Sequence, residues 1–240
     1  MPDLEKFFGS EDWNMDFVRA MLAEFIGSFF FVLIGILCTS FKPTDTEWQF
    51  ASPVQVAFAL GCITFSISHA LGRISGAHLS PMVSLGLFLI CGMSVLNVIG
   101  YIFAQFLGGL AAIGIISLSL NEEMYKENRT IRPMMGASYL EICIVEGLAS
   151  FIWIVTVIVT TERRHEDAYG NGSFYIGLTV FGAYLIAMIG SGGGVNPVRS
   201  VAASILENEW ENRLCYWVGP IAGAILAAII YYCCSGTLKH

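Results

Sequence analysis

The sequence predicts an all-α membrane protein with six transmembrane helices and two re-entrant half-helices, arranged as an inverted repeat. Hydrophobic residues make up 55% of the 240 residues and charged residues only 13%, whereas soluble domains carry about 25% charged residues. Several apolar runs reach the roughly 20 residues that a helix needs to cross the hydrocarbon core of a bilayer. The second half of the chain also repeats landmarks of the first, which indicates a duplication.

Six apolar runs are long enough to span a bilayer. We place them at about 17–40, 51–72, 95–120, 138–161, 174–191 and 215–234. An acidic tail (1–16) precedes them, a connecting loop (121–137) separates the two halves, and a short tail (235–240) follows. Because acidic residues precede the first run and that run is long, we expect a membrane span there, not a cleavable signal peptide.

Three landmarks of the first half recur in the second half in the same order. Residues 23–29 (AEFIGSF) correspond to 145–151 (VEGLASF), 75–84 (SGAHLSPMVS) to 191–200 (SGGGVNPVRS), and 105–109 (QFLGG) to 220–224 (PIAGA). The two copies, 17–120 and 138–234, each contain three spans. Because three is odd, the second copy must enter the bilayer from the opposite side, which is the inverted-repeat plan of membrane transport proteins.

A short apolar run follows a Ser-Pro or Asn-Pro pair in each copy. The runs at about 81–91 and 197–206 cover about 15 Å as helices, half of the hydrocarbon thickness. Proline is favourable in the first turn of a helix, which makes Ser80 and Asn196 the expected N-caps. The two helix N-termini, each with about half a positive charge, would then meet near the midplane and repel cations.

Arg199 lies in the second short run, and the carboxylates Glu24 and Glu146 lie inside long apolar spans. Arg199 would cost about 2.5–3.5 kcal/mol in plain hydrocarbon, so we expect it to face water. Glu24 and Glu146 are expected to accept hydrogen bonds from the exposed N–H groups of the re-entrant loops, and we assign His78 to the same supporting set. A proton relay through the two carboxylates is the alternative.

These residues resemble the aquaporin (major intrinsic protein) family over about 17–234. The motifs that carry the resemblance are Ala23-Glu24-Phe25, Ser75-Gly-Ala-His-Leu79, Asn196-Pro197 followed by Arg199-Ser200, and Trp217-Val-Gly-Pro220. The resemblance implies six tilted helices, two half-helices, a pore in each protomer, a homotetramer and no cofactor. Family members conduct water, and some conduct glycerol or other small neutral solutes.

The chain departs from the family in both signature motifs, which usually read Asn-Pro-Ala. The first signature is Ser80-Pro81-Met82 and the second is Asn196-Pro197-Val198. A serine is shorter than a carboxamide, and Met82 and Val198 are bulkier than alanine, so we expect altered packing without loss of the fold.

In the family, four positions form the outer selectivity constriction. Counting from the two signatures places these positions on an aliphatic residue, an aromatic residue, a glycine and a cation, which are Leu60, Tyr184, Gly193 and Arg199.

We therefore expect a passive channel that conducts water down an osmotic gradient and excludes protons and cations. The alternatives are a broader pore for glycerol, urea, ammonia or hydrogen peroxide, or a junction protein with a residual pore. No metal-ligand spacing or nucleophile–base set suggests a metal site or an enzyme, and a net charge of −7 argues against nucleic acid as a partner.

The expected location is the plasma membrane, with cytoplasmic termini; an intracellular membrane is the alternative. In that orientation Asn128, in the sequon Asn128-Arg-Thr130, can be glycosylated. The pair Cys233-Cys234 is either acylated or simply two small residues at a helix end.

Overall fold

The computed structural model describes residues 14–40, 52–120, 131, 133–161 and 171–235, and the regular structure in these ranges is helical throughout. Six helices are long and apolar enough to cross a membrane. They are α1 (Met15–Ser40), α2 (Pro53–Ser75), α4 (Val95–Ser119), α5 (Tyr139–Thr161), α6 (Gly172–Gly190) and α8 (Cys215–Ser235). Two helices of 11 residues, α3 (Pro81–Cys91) and α7 (Pro197–Glu207), follow the Ser-Pro and Asn-Pro pairs. The predicted fold class is confirmed.

The outer surface of the spans is apolar. On α1 the side chains of Val18, Leu22, Ile26 and Phe30 are spaced four residues apart and all are exposed, whereas Glu24 is fully buried. Because large apolar side chains are exposed along every spanning helix, and a contiguous apolar surface of this extent is not stable in water, lipid must cover it. The chain is an integral membrane protein.

The two copies of the repeat pack around a local two-fold axis. The α1–α4 contact in the first copy corresponds to the α5–α8 contact in the second, and each half-helix packs against the last span of the other copy. The axis passes between α2 and α6, where Gly61 and Gly177 meet. A Cβ atom on either glycine would lie 2.8 Å from the carbonyl oxygen of the other, so the backbones of the two copies are in direct contact.

A second close approach fixes α4 against α1. A Cβ atom at Gly108 would lie 2.9 Å from the backbone nitrogen of Phe29 and still closer to the carbonyl oxygen of Phe25. Small residues that allow backbones to approach are typical of helix interfaces in membranes, where packing replaces the hydrophobic driving force. The equivalent contact in the second copy joins Gly223 of α8 to the backbone of Gly147 and Phe151 on α5.

The close contact between α1 and α4 can be tested by substituting two glycines of α4, Gly108 and Gly114. Gly108→Ala should destabilise the protein by roughly 1–3 kcal/mol, because the added methyl group overlaps the backbone of α1. Gly114→Ala should be neutral or stabilise by up to about 1 kcal/mol, since no atom of another described helix lies within 4 Å of its Cβ position. The midpoint of thermal unfolding of the detergent-solubilised protein measures both. Equal effects of the two substitutions would contradict a tight α1–α4 contact.

Candidate functional site: a pore at the meeting point of the two half-helices

The two loops that precede the half-helices have the same backbone conformation. In the first loop Gly76, Ala77 and Leu79 have φ values of 87°, 49° and 59°, and in the second Gly192, Gly193 and Val195 have 86°, 77° and 51°. A left-handed conformation is unfavourable for Ala, Leu and Val, so the surroundings must hold both loops in place.

The carboxylate of Glu24 holds the first loop. Its Oε1 accepts hydrogen bonds from Ser75 Oγ (2.6 Å) and from the backbone N–H of His78 (2.9 Å). Its Oε2 accepts from the backbone N–H of Leu79 (2.9 Å) and from Gln105 Nε2 (2.8 Å). Glu24 is fully buried, and four donors compensate for the loss of hydration of the carboxylate.

Glu146 holds the second loop in the same way. Its Oε1 accepts from Ser191 Oγ and from the backbone N–H of Gly194 (2.9 Å), and its Oε2 accepts from the backbone N–H of Val195. The donors occupy the positions in the second loop that Ser75, His78 and Leu79 occupy in the first. Backbone groups that would otherwise be unsatisfied at membrane depth are therefore paired in both loops.

One buried tyrosine fixes the start of each loop. Tyr101 of α4 donates its hydroxyl to the carbonyl of Ser75 (2.9 Å), and Tyr216 of α8 donates to the carbonyl of Ser191 (2.6 Å). The imidazole of His78 lies against the ring of Tyr101, with the centroids 4.9 Å apart, and its Nδ1 is 3.0 Å from Ser84 Oγ.

The half-helices begin at Ser80 and Asn196, which are both N-caps. Ser80 Oγ accepts from the N–H of Met82 (3.4 Å), and Asn196 Oδ1 accepts from the N–H of Val198 (3.0 Å). Pro81 and Pro197 occupy the first turn of each half-helix. Asn196 Nδ2 donates across the junction to the carbonyl of Leu79 (2.7 Å). This hydrogen bond shows that the N-termini of α3 and α7 meet.

The junction is not symmetric, because Ser80 carries no amide group. The carbonyl of Val195, which corresponds to that of Leu79, instead accepts from Ser150 Oγ of α5 (3.3 Å). The hydroxyl of Ser28, the counterpart of Ser150 on α1, is buried and has no hydrogen-bond partner among the described residues.

The bulky third residues of the signatures are both buried. The Cγ1 atom of Val198 packs against Gly109 of α4, where a Cβ atom would lie only 2.5 Å from it. A glycine on the neighbouring helix therefore accommodates the valine.

The four residues assigned to the constriction lie together and are all buried. Arg199 Nη1 donates to the carbonyl of Gly193, and the guanidinium lies over the ring of Tyr184, 5.6 Å from its centroid. The hydroxyl of Tyr184 donates to the carbonyl of Gly194 (3.1 Å). Leu60 and Arg199 both pack against Gly35 of α1, whose Cβ position is 3.0 Å from Leu60 Cδ2 and 3.1 Å from Arg199 Nε.

Arg199 is only partly hydrogen-bonded. Its Nε and Nη2 atoms are buried and have no hydrogen-bond partner among the described residues. Leaving charged donors unpaired is costly, so an acceptor oxygen brought to these N–H groups would be stabilised there.

The structure thus brings the predicted site residues together in one region, while Asn128 lies outside the described residues. The contributors beyond the predicted site residues include Gln105, Tyr101 and Tyr216. Gln105 is a polar side chain inside an apolar span, which is the signal that singled out Glu24. The tyrosines each precede the third landmark of the repeat by four residues. Among the described residues, no cluster of three His, Cys, Asp or Glu side chains could hold a metal ion.

Comparisons with known proteins agree with this geometry. Residues 11–231 match the family described as Major intrinsic protein. The chain is 35% identical over 221 residues to Aquaporin-1 of Rattus norvegicus, covering 90% of this chain and 81% of that protein. It is 34% identical over 230 residues to Aquaporin FA-CHIP of Pelophylax lessonae, covering 92% and 84%. Among solved structures, the aquaglyceroporin from Plasmodium falciparum has a TM-score of 0.73 at 21% identity, covering 90% of this chain and 95% of that one; this likeness concerns the fold.

The fit between Val198 and Gly109 can be tested with a double-mutant cycle. Gly109→Ala should lower stability by roughly 1–3 kcal/mol through overlap with Val198. Combining it with Val198→Ala should recover part of that loss, with a coupling of about 1 kcal/mol or more. Thermal unfolding of the four proteins in detergent measures the coupling. Strictly additive effects would show that the two side chains are not in contact.

Proposed function

The chain belongs to the major intrinsic protein family, and we propose that it is a passive channel through which water crosses a membrane down an osmotic gradient. The observation that carries the proposal is the buried Arg199, held by Gly193 and Tyr184, whose Nε and Nη2 atoms have no hydrogen-bond partner in the described part of the chain. Such donors, in a junction of two re-entrant loops, suit a small neutral molecule with an accepting oxygen.

Burial of the constriction favours water over larger solutes. Leu60, Tyr184 and Arg199 are packed together with no exposed surface, which leaves little room at the constriction, and water is the smallest of the candidate solutes. The relatives named Aquaporin-1 support the same choice. A broader pore for glycerol or urea is the second candidate, since Leu60 and Gly193 are less rigid and less bulky than aromatic residues would be.

Exclusion of protons and cations follows from the charges around the junction. The N-termini of α3 and α7 face each other through the Asn196–Leu79 hydrogen bond, and each contributes about half a positive charge. Arg199 adds a full positive charge. A cation in this region would lose its hydration and meet three positive centres, whereas water would meet hydrogen-bond donors.

We further propose that the protein is a homotetramer in the plasma membrane with both termini in the cytoplasm. This arrangement is what membership of the family implies. Glycosylation of Asn128, detected as a mobility shift removed by a glycosidase, would support the orientation. The chain has a second sequon, Asn171-Gly-Ser173, and modification there would contradict the orientation, because one membrane span, α5, separates the two sequons along the chain.

Water and glycerol fluxes from one preparation test the function. Purified protein in proteoliposomes should shrink under an osmotic gradient several-fold faster than empty vesicles, with much slower glycerol uptake. Leu60→Trp should reduce the water rate, because the larger ring obstructs the constriction. The variant also serves as a control, because a leak at the protein–lipid boundary would be unchanged by it. A rate equal to that of empty vesicles, from protein that is monodisperse and helical, would reject a channel. Glycerol uptake as fast as water flux would establish the broader pore instead.

The substitution Arg199→Val distinguishes the contribution of the guanidinium charge to cation exclusion from that of the helix dipoles. Loss of the charge should raise proton or monovalent-cation leak while water flux persists, and Arg199→Lys should restore part of the exclusion. A pH-sensitive dye inside the proteoliposomes measures the leak. If Arg199→Val leaks no more than the parent protein, exclusion depends on the two half-helix N-termini.

A further inference from the structure

Two cysteines from different helices lie side by side at one end of the second copy. Cys143 is in the first turns of α5 and Cys215 is the first residue of α8. Cys143 packs against the buried cluster that contains Cys215, and Cys215 Sγ is 3.6 Å from the carbonyl oxygen of Tyr139, one turn before Cys143 on α5. Cys215 is buried and Cys143 half-buried.

The packing of α5 and α8 explains why the thiols meet. A Cβ atom at Gly219 would lie 2.6 Å from the carbonyl oxygen of Cys143 and 3.2 Å from the backbone nitrogen of Gly147. One turn further on, Gly223 meets the backbone of Gly147. Both helices begin on the same face of the membrane, so they run in the same direction. Cys215 precedes Gly219 by one turn of α8, and the register set by the glycines therefore places it beside Cys143. Close backbone approach is what a disulfide requires, since its Cα atoms lie about 4.4–6.8 Å apart.

The first copy of the repeat shows that the fold does not require a thiol pair here. The residues equivalent to Cys143 and Cys215 are Met21 and Gly100. A Cβ atom at Gly100 would lie 2.6 Å from Phe17 Cζ and 3.4 Å from Met21 Sδ. In the first copy, therefore, Phe17 and Met21 occupy the space that the side chain of Cys215 fills in the second.

We propose that Cys143 and Cys215 form a disulfide that fastens α5 to α8 on the membrane face opposite to the chain termini. With the cytoplasmic termini proposed above, that face is outside the cell, where disulfides persist. The half-buried Cys143 reacts first: its sulfur attacks hydrogen peroxide, the O–O bond breaks, and a sulfenic acid and one water form. Cys215 then attacks that sulfur, its proton leaves with the hydroxyl as a second water, and the S–S bond forms. Two thiols are oxidised and one peroxide is reduced.

The bond lies next to the candidate pore. Tyr216 follows Cys215 directly, donates to the carbonyl of Ser191, and packs its ring against Gly194 of the second loop. Fastening the first residue of α8 to α5, which also carries Glu146, ties together the two elements that hold this loop.

Thiol mapping of the full-length protein tests the proposal. Protein in proteoliposomes is reduced, treated with hydrogen peroxide or left untreated, denatured in SDS with N-ethylmaleimide, and digested. After peroxide, a crosslinked peptide joining Cys143 to Cys215 is expected, and Cys62, exposed on α2, should carry the maleimide. The oxidised protein should unfold roughly 5 °C or more above the reduced protein.

Single variants supply the controls. Cys143→Ser and Cys215→Ser should remove both the crosslink and the difference in unfolding temperature, whereas Cys62→Ser should keep both. Complete maleimide labelling of Cys143 and Cys215 after peroxide would overturn the proposal, as would crosslinks of Cys143 to Cys62, Cys233 or Cys234 in place of Cys215. A Cys143–Cys215 crosslink with no gain in unfolding temperature would overturn the fastening role. None of these readouts depends on solute flux, so they stand apart from the proposed channel activity.

Discussion

The pairing of loop N–H groups with a buried carboxylate is the interaction on which the rest of this structure depends. Two stretches of non-helical backbone lie at membrane depth, where an unsatisfied polar group costs several kcal/mol and no lipid can supply a partner. A side-chain hydroxyl could satisfy one or two of these groups. Each of Glu24 and Glu146 accepts from two backbone N–H groups and a serine at once. A charged residue in the middle of a span is therefore what allows the half-helices to begin inside the membrane.

The two copies share this backbone arrangement but divide the side-chain contacts unequally. Glu24 accepts a further hydrogen bond from Gln105, whereas the landmark equivalent of Gln105 in the second copy is Pro220, which has no such donor. At the junction the inequality is reversed: Asn196 reaches across to the first loop, while Ser80 is too short to reach back and Ser150 bonds to Val195 in its place. Glu24 therefore has one more donor from its own copy than Glu146 has, and the first loop also accepts the hydrogen bond that crosses the junction from Asn196 of the second copy.

Hydrocarbon thickness and proline chemistry explain why so much of the fold could be predicted from the sequence. Thickness fixes the length of a span, and Pro81 and Pro197 fix where each half-helix starts, so the predicted 81–91 and 197–206 differ from the structure by at most one residue. The predicted ends of α2 and α6 differ more, because no proline marks Ser75 or Gly172. Tyr101 and Tyr216 could not be separated from ordinary core aromatics, since their function depends on which carbonyl each hydroxyl meets. The Cys143–Cys215 contact depends on the register of α5 against α8. That register is set by Gly147 on α5 and by Gly219 and Gly223 on α8, which lie far apart in the sequence.

Under the proposed function, the hydrogen bonds already made at the constriction limit what it can distinguish. The hydroxyl of Tyr184 is bonded to the carbonyl of Gly194, and the carbonyl of Gly193 accepts from Arg199. The donors without a partner among the described residues are the Nε and Nη2 atoms of Arg199, which can only donate. These donors disfavour cations but suit water, glycerol and urea alike, since all three carry acceptor oxygens. Selection among neutral molecules must then come from width, which is set by the ring of Tyr184 on one side and by Leu60, packed against Gly35, on the other. Because both neighbours of Arg199 are fixed by packing, the pore should discriminate by size more sharply than by hydrogen-bonding pattern.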